Sequence, residues 1–442
     1  MSTQLWRNRD FLTAVLARAG SLVGDEVALV VLTLRIEAEG GHPWQIALLL
    51  AVGLVPVIVL ARLAGRVVDS SGSRRILLIA SVAQTAACAP LILTQNFELM
   101  LVLVALIAVG SAFTGPTWSA LTPAIVGEDQ IGRATAASQT VFALGGMAAP
   151  AAAGLLTGAF GTRLPLGLDA ASFALMALGV VLIRTRRHVA PGAAGSSARG
   201  GWKLLRQDRL VGTLVLGLSV FVFLGMMVNV VEVFLVRVTL HASTAWYGGA
   251  ESVWTAGLVA GSVLAGQVGH DLGRAQATVA GAAMISVALL AFSVVPNVVW
   301  LLPAGLFGGV GNGLVNVCVG TLITTRTPQQ VRGRVFAALG AAVSTATVLS
   351  LVLGAVVAGL VGPRLVYLAA GACCLATAGL LAAQLSRTCR VALPPDELGA
   401  TEAGVAPASP GTATTASPVT VRPPTSDPDP AGAVESGSEM VA

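Results

Sequence analysis

Apolar stretches of about 20 residues recur along almost the whole chain, and no other feature limits its fold so sharply. Each is long enough to cross a hydrocarbon layer of about 30 Å as a helix. Such a layer offers no water to an open backbone, so helices, with every backbone bond closed internally, are the spanning structure these runs can form. The runs begin near Phe11 and end near Leu385, six before and six after a hydrophilic stretch. The expected fold is therefore all-α: twelve transmembrane helices in two six-helix bundles, over residues 1–184 and 210–386. Composition agrees, because only 11% of residues are charged against roughly 25% in a soluble domain.

Arginine sets the expected orientation, since cytoplasmic loops retain basic residues. With the N-terminus inside, inner segments carry Arg66, Arg74, Arg75, Arg133, Arg184, Arg274 and Arg334, among others, whereas the outer segments carry Arg35, Arg163, Arg237 and Arg364. Both termini are then cytoplasmic, and the membrane expected is a bacterial inner membrane. A span with charges at its centre directly after Trp6-Arg7-Asn8-Arg9-Asp10 does not read as a cleaved signal peptide. Residues 185–209, with Pro191-Gly192 and Ser196-Ser197 between arginines, read as a cytoplasmic linker. Residues 387–442, rich in Pro, Ser, Thr and Ala, read as a disordered cytoplasmic tail.

Several function classes fall away. The arginines sit in short loops rather than on one basic face, so the net charge of +5 does not point to nucleic acid. Lys203 is the only lysine and follows Trp202, which excludes a phosphate-binding Gly-Lys-Ser/Thr loop. His42, His188, His241 and His270 are scattered and the cysteines lack ligand spacing, so neither metal nor cofactor is expected. An enzyme is not expected, and energy for any transport must come from a gradient.

The chain also repeats itself at an offset of about 201 residues. Gly65, Asp69 and Gly72, in the loop after helix 2, fall on Gly266, His270 and Gly273 after helix 8. Thr122-Pro123 and Gly132-Arg133 after helix 4 are answered by Thr327-Pro328 and Gly333-Arg334 after helix 10. Two parallel six-helix repeats are one of the transporter architectures.

At these residues the sequence resembles the major facilitator superfamily. Gly65-x3-Asp69-x2-Gly72-x-Arg74-Arg75 is similar to that family's cytoplasmic signature, and Gly145-x3-Ala149-Pro150-x2-Ala153-Gly154 in helix 5 resembles the small-residue motif of its exporters and proton antiporters, with Ala at two glycine positions. Asn8-Arg9-Asp10-Phe11, Ser21-x2-Gly24-Asp25 and Leu168-Asp169-Ala170-Ala171-Ser172-Phe173 resemble the branch of macrolide-efflux proteins and the enterobactin exporter. The resemblance implies alternating access around a central cavity. It also implies a conformational latch, in which Asp69 meets the start of helix 11 near Arg332 and Arg334; a simple topology-setting loop is the alternative.

Charges inside spans are functional candidates by default. Asp25 is the leading proton-coupling carboxylate, with Glu26, rotated by about 100 degrees toward a neighbouring helix, as its second. A static buried hydrogen bond from Asp25 is the alternative. Arg18 either snorkels to the inner interface or binds an anionic substrate. Glu232 and Glu251 either guard the outer mouth or are solvated at the interface or paired with Arg237. Trp118, Asn229, Trp254, Asn312 and Asn316 offer a mixed aromatic and polar substrate surface, against plain helix packing. The expected function is export of a drug-like or secondary-metabolite small molecule in exchange for protons, by a monomer whose other partner is membrane lipid. Import by proton symport, or lipid flipping or a receptor role, are the rivals.

Overall fold

The computed structural model describes residues 3–185, 209–327 and 329–392, so the expected tail beyond 392 and nearly all of the expected linker lie outside the described residues. After a short turn at Thr3–Arg7, the first half comprises α1 (Arg9–Ala38), α2 (Pro43–Ser70), α3 (Ser73–Leu93), α4 (Phe97–Val126), α5 (Ile131–Phe160) and α6 (Arg163–Leu182). In the second half α7 starts at Arg209–Gly225 and continues through irregular turns to Thr239. It is followed by α8 (Thr244–Ala265), α9 (Asp271–Val294), α10 (Leu301–Arg326), α11 (Gln329–Val361) and α12 (Pro363–Ala392).

Nine of the described helices are long and apolar enough to cross a membrane, or ten when the two limbs of α7 are taken as one span. The exceptions have a local cause. In α1 the apolar run is interrupted by Arg18, Asp25, Glu26 and Arg35, and α8 is diluted by Gly, Ser and Glu251. Asn8 caps α1, its side-chain oxygen accepting from the Asp10 and Phe11 amides at 3.0 and 3.2 Å, and its Nδ2 donates to the Ile125 carbonyl at the end of α4. α4 and α5 both stop at a glycine in left-handed backbone, Gly127 and Gly161, where a side chain would be strained.

In the first half α1 packs on α5 and α6, α3 on α4 and α6, and α2 on α4. In the second, α10 packs on both α8 and α9 through bare backbone. A Cβ at Gly257, Gly261 or Gly313 would run into a carbonyl oxygen of the facing helix. α12 joins through Tyr367 on Phe292, ring centroids 5.5 Å apart, and through Cys374 against Phe221.

The halves meet at the end that carries the α1–α2 and α7–α8 connections. There α5 packs on α8, and α2 packs on α11 and α7 through Ala47, Val230 and Leu351. Glu37 of α1 pairs with Arg237 of α7 at 3.1 Å.

Candidate functional site

The polar centre of the molecule follows from a break in α7. Residues Met226–Val230 tighten into a 3₁₀ turn and Leu235–Thr239 widen into a π turn, so the two limbs of the helix meet at 45°. Such irregular turns inside a span commonly mark functional positions. Glu232 sits at this break, one residue after the bend. Its carboxyl group lies beside that of Glu251, about 10 Å of helix rise into α8 from Thr244. Two carboxyl groups this close repel each other when both are charged, which favours a proton shared between them. The hydroxyls of Tyr247 and Tyr367, both buried, lie within electrostatic reach of the pair.

Glu26 faces the pair from the other half, close enough to act electrostatically on Glu251. It is exposed although it lies mid-helix, on the side of α1 that faces Glu251 of the second half. Asp25 points elsewhere. It lies within reach of Asp169, and together with Cys88, Asp169 and Ser172 it forms a polar cluster between α1, α3 and α6. In that cluster the Cys88 thiol donates to Asp169 at 3.6 Å, and the Ser172 hydroxyl donates to the Asp169 carbonyl at 2.7 Å. The geometry thus gives the two neighbours different surroundings from those expected. The 100° between them is as anticipated, but Gly24 is the position that docks on Asp169 and Ser172, which turns Asp25 into the bundle and Glu26 toward the gap. The motifs around Gly24-Asp25 and Asp169-Ser172 are two sides of one helix contact.

Other expected residues separate in the same way. Among the described residues Arg18 pairs with no carboxylate: its guanidinium lies 5.0 Å from the centre of the Phe142 ring on α5, a cation–π contact. Trp118 is 4% exposed and packed among Leu77, Leu121, Phe173 and Met176, so it belongs to the first-half core rather than to a substrate surface. Asn229, in the α7 break, is exposed and donates to the Met226 sulfur. Trp254 lies over Gly308 of α10, and Asn316 donates to the Asn312 side chain one turn earlier at 2.6 Å. The expected pairing of Glu232 or Glu251 with Arg237 is not formed, because Arg237 is held by Glu37 and by the Ala242 carbonyl.

The helix 5 motif reaches across the halves. A Cβ on Gly154 would meet the Thr244 carbonyl, one on Gly248 would meet the Pro150 carbonyl, and Ala149 is fully buried. Thr244 donates to the Gly154 carbonyl at 2.9 Å, and the Ala151 amide donates to Ser252 at 2.9 Å. Gly145, a turn and more earlier, packs on Val23 of α1. In the latch loop, Asp69 and Gly72 are exposed, Gly65 is half-buried, and Arg74 donates to the Val181 carbonyl at 2.9 Å. The side chains of Arg332 and Arg334 lie outside what the structure describes. The repeated loop has an acid with partners: Asp271, beside His270, accepts from Arg326 at 3.0 Å, Arg274 at 3.2 Å and Thr325. Burial would raise its carboxyl, but the Arg326 hydrogen bond and charge, with Thr325 and Arg274, hold it below the usual carboxylate range.

The family profile described as Major Facilitator Superfamily matches residues 14–250 and 233–420. The chain belongs to the major facilitator superfamily. Among relatives of this superfamily member, macrolide efflux protein A of Streptococcus pyogenes is 21% identical over 378 residues, covering 82% of this chain and 92% of its own. The MFS-type transporter YfiS of Bacillus subtilis (strain 168) is 24% identical over 394 residues, covering 86% and 94%. Similar folds include a bacterial homologue of the iron transporter ferroportin in an inward-facing state, with TM-score 0.70 and 14% identity over 86% of this chain and 99% of that one. The nucleoside transporter NupG matches with TM-score 0.66 and 13% identity over 85% and 98%. As a member of this superfamily the protein is a multi-pass membrane transporter of small molecules and not an enzyme.

Proposed function

We propose that this transporter exports a drug-like or secondary-metabolite molecule in exchange for protons, and that Glu26, Glu232 and Glu251 are where proton and substrate compete. The observation that carries the reading is the Glu232–Glu251 carboxyl pair at the break of α7, faced by Glu26 across the gap between the halves. A proton shared by the pair relieves its repulsion, and loss of that proton places two like charges side by side in a poorly solvated site. A cationic or hydrogen-bonding substrate entering the gap relieves that repulsion, which links its binding to deprotonation. The partly exposed Asn229, Trp254, Asn312 and Asn316 supply polar and aromatic contacts without fixed charge, which suits a range of largely apolar ligands. The likeness to a macrolide efflux protein, low in identity but covering most of both chains, favours export of bulky amphiphiles.

The orientation expected from the arginines, with both termini cytoplasmic, puts the contacts between the halves at the outer side and the gap at the inner side. A latch formed by Gly65, Asp69, Gly72, Arg74 and Arg75 with Arg332 and Arg334 then belongs to the opposite, outward-facing state. Purified protein in vesicles, loaded with a panel of macrolides and given a pH gradient, tests the reading. Uphill movement of a macrolide against the proton flow, abolished by a protonophore, is the expected result. Movement of substrate and protons in the same direction would make the protein a symporter, and insensitivity to the gradient would remove protons from the mechanism.

A further inference from the structure

Away from the gap between the halves, a cavity of about 420 Å³ opens at the inner end of the first half. It lies between the start of α3 and the ends of α4 and α6. Its apolar wall is Leu77, Leu78, Leu121, Val180 and Ile183, and its rim is Ser73, Arg74 and Arg75 with Thr185. Three features of the rim point to an anion. α3 begins here at Ser73, so the unpaired amides of Ser73 and Arg74, at the positive end of a 21-residue helix, lie at the rim. Arg74 is fixed by its bond to the Val181 carbonyl, and neither it nor Arg75 has an ion-pair partner among the described residues. Ser73 is 3% exposed and lines the cavity, yet its hydroxyl, buried from solvent, has no hydrogen-bond partner. A buried hydroxyl without a partner is destabilising, and a phosphate oxygen in the cavity would accept from it after a small turn of the side chain. Asp10, which meets the rim residue Thr185, is already occupied: its carboxylate accepts from the Arg184 and Thr185 amides and from the Thr185 hydroxyl at 3.2, 2.8 and 2.6 Å.

We infer that this cavity binds the phosphate-bearing headgroup of an acidic membrane lipid, the phosphate meeting Ser73, Arg74, Arg75 and the start of α3 and the glycerol end lying on the leucine-rich wall. A soluble phosphate would use the rim alone. The apolar wall, and a position level with the helix ends that meet the membrane surface, select the amphiphile.

The test uses the full chain purified in detergent, stripped of lipid, then offered phosphatidylglycerol, phosphatidylcholine or inorganic phosphate. Native mass spectrometry counts retained lipid, and thermal unfolding reads stabilisation. Ser73→Asp is the informative variant, because an acid in the first turn of a helix favours folding while its charge repels a phosphate. The wild type is expected to retain one more phosphatidylglycerol than Ser73→Asp, with apparent affinity about tenfold higher, the equivalent of roughly 1.4 kcal/mol. Phosphatidylcholine should not distinguish the two. In the wild type alone, a photoactivatable phosphatidylglycerol should crosslink within residues 72–78, which keeps the inference testable if the variant does not fold. Equal retention of phosphatidylglycerol by both proteins overturns it, as does crosslinking elsewhere only. Stabilisation by inorganic phosphate equal to that by phosphatidylglycerol overturns the lipid assignment and leaves a soluble-anion site.

Discussion

A carboxyl pair that shares one proton, as proposed for Glu232 and Glu251, responds unequally to loss of either oxygen set, and this makes single substitutions informative. Glu251→Gln keeps a hydrogen bond to Glu232 but removes the proton that the pair releases, so pH-driven export should fall by about tenfold or more while substrate still binds. Glu26→Gln should weaken the coupling less, since Glu26 faces the pair without bonding to it. Asp25→Asn should act through the stability of the first bundle, because Asp25 borders the Cys88–Asp169–Ser172 cluster. Proton flux and thermal unfolding measured on the three variants separate these outcomes; an Asp25→Asn protein that folds normally yet no longer couples would restore Asp25 to the central role. The sequence contained most of this. Charges inside apolar runs pick out Asp25, Glu26, Glu232 and Glu251 without a structure. What it left open was rotation: whether residue 25 or 26 faces the gap depends on the docking of Gly24 against α6, a contact 145 residues away in the chain. Tyr247 and Tyr367 carried no signal beyond being the chain's only tyrosines, each inside an apolar run.

Helices in a bilayer have no hydrophobic driving force to press them together, so close approach of backbones decides which pairs hold. The crossing of α5 and α8 depends on two bare positions, Gly154 and Gly248, each against the other's main chain. Gly248→Val should force the helices apart and cost about 1–3 kcal/mol by overpacking. The measurement is thermal unfolding in detergent, with Gly249→Val, beside open space, as the control that should be nearly silent. The motif in helix 5 was readable as small-residue packing, and its partner was not, because Gly248 belongs to no recognisable pattern in the sequence. The break in α7 was likewise hidden, since Met226–Val230 has neither Gly nor Pro to mark it. Asp271 at the start of α9 gives an element-scale pH prediction. Its folded-state value is lower than its unfolded one, so its contribution is present above the unfolded value and is lost as pH falls through the folded one. Wild-type stability should therefore decline below about pH 4 more steeply than that of Asp271→Asn. Equal acid limbs would mean that the Arg274 and Arg326 contacts contribute nothing in solution.

At the scale of the whole molecule, the two halves are joined at one end by backbone packing of α5 on α8, by apolar packing of α2 on α11, and by the Glu37–Arg237 pair. Packing of the first two kinds resists substitution in many directions at once, whereas the ion pair is a single interaction with both partners largely withdrawn from solvent, at 11% and 26% side-chain exposure. It is therefore the place where the balance between states can be shifted with the least damage to either bundle. Arg237 also donates to the Ala242 carbonyl at 2.7 Å, which orients the guanidinium toward Glu37. Arg237→Glu sets two acids against each other across the seam. Because it removes a positive charge from a segment expected outside, it also leaves the topology signal intact. If alternating access operates as proposed, this variant should populate the state with that end open by about tenfold more than the wild type, roughly 1.4 kcal/mol. A cysteine at Ala47, buried in the seam beside Val230 and Leu351, reports the opening through its rate of labelling by a membrane-impermeant thiol reagent added from outside. The exchanged pair, Glu37→Arg with Arg237→Glu, should return labelling to the wild-type rate, which a simple loss of folding would not do. Labelling that stays slow in Arg237→Glu would assign the seal to helix packing alone, and labelling only from the other side would reverse the expected orientation of the protein in the membrane.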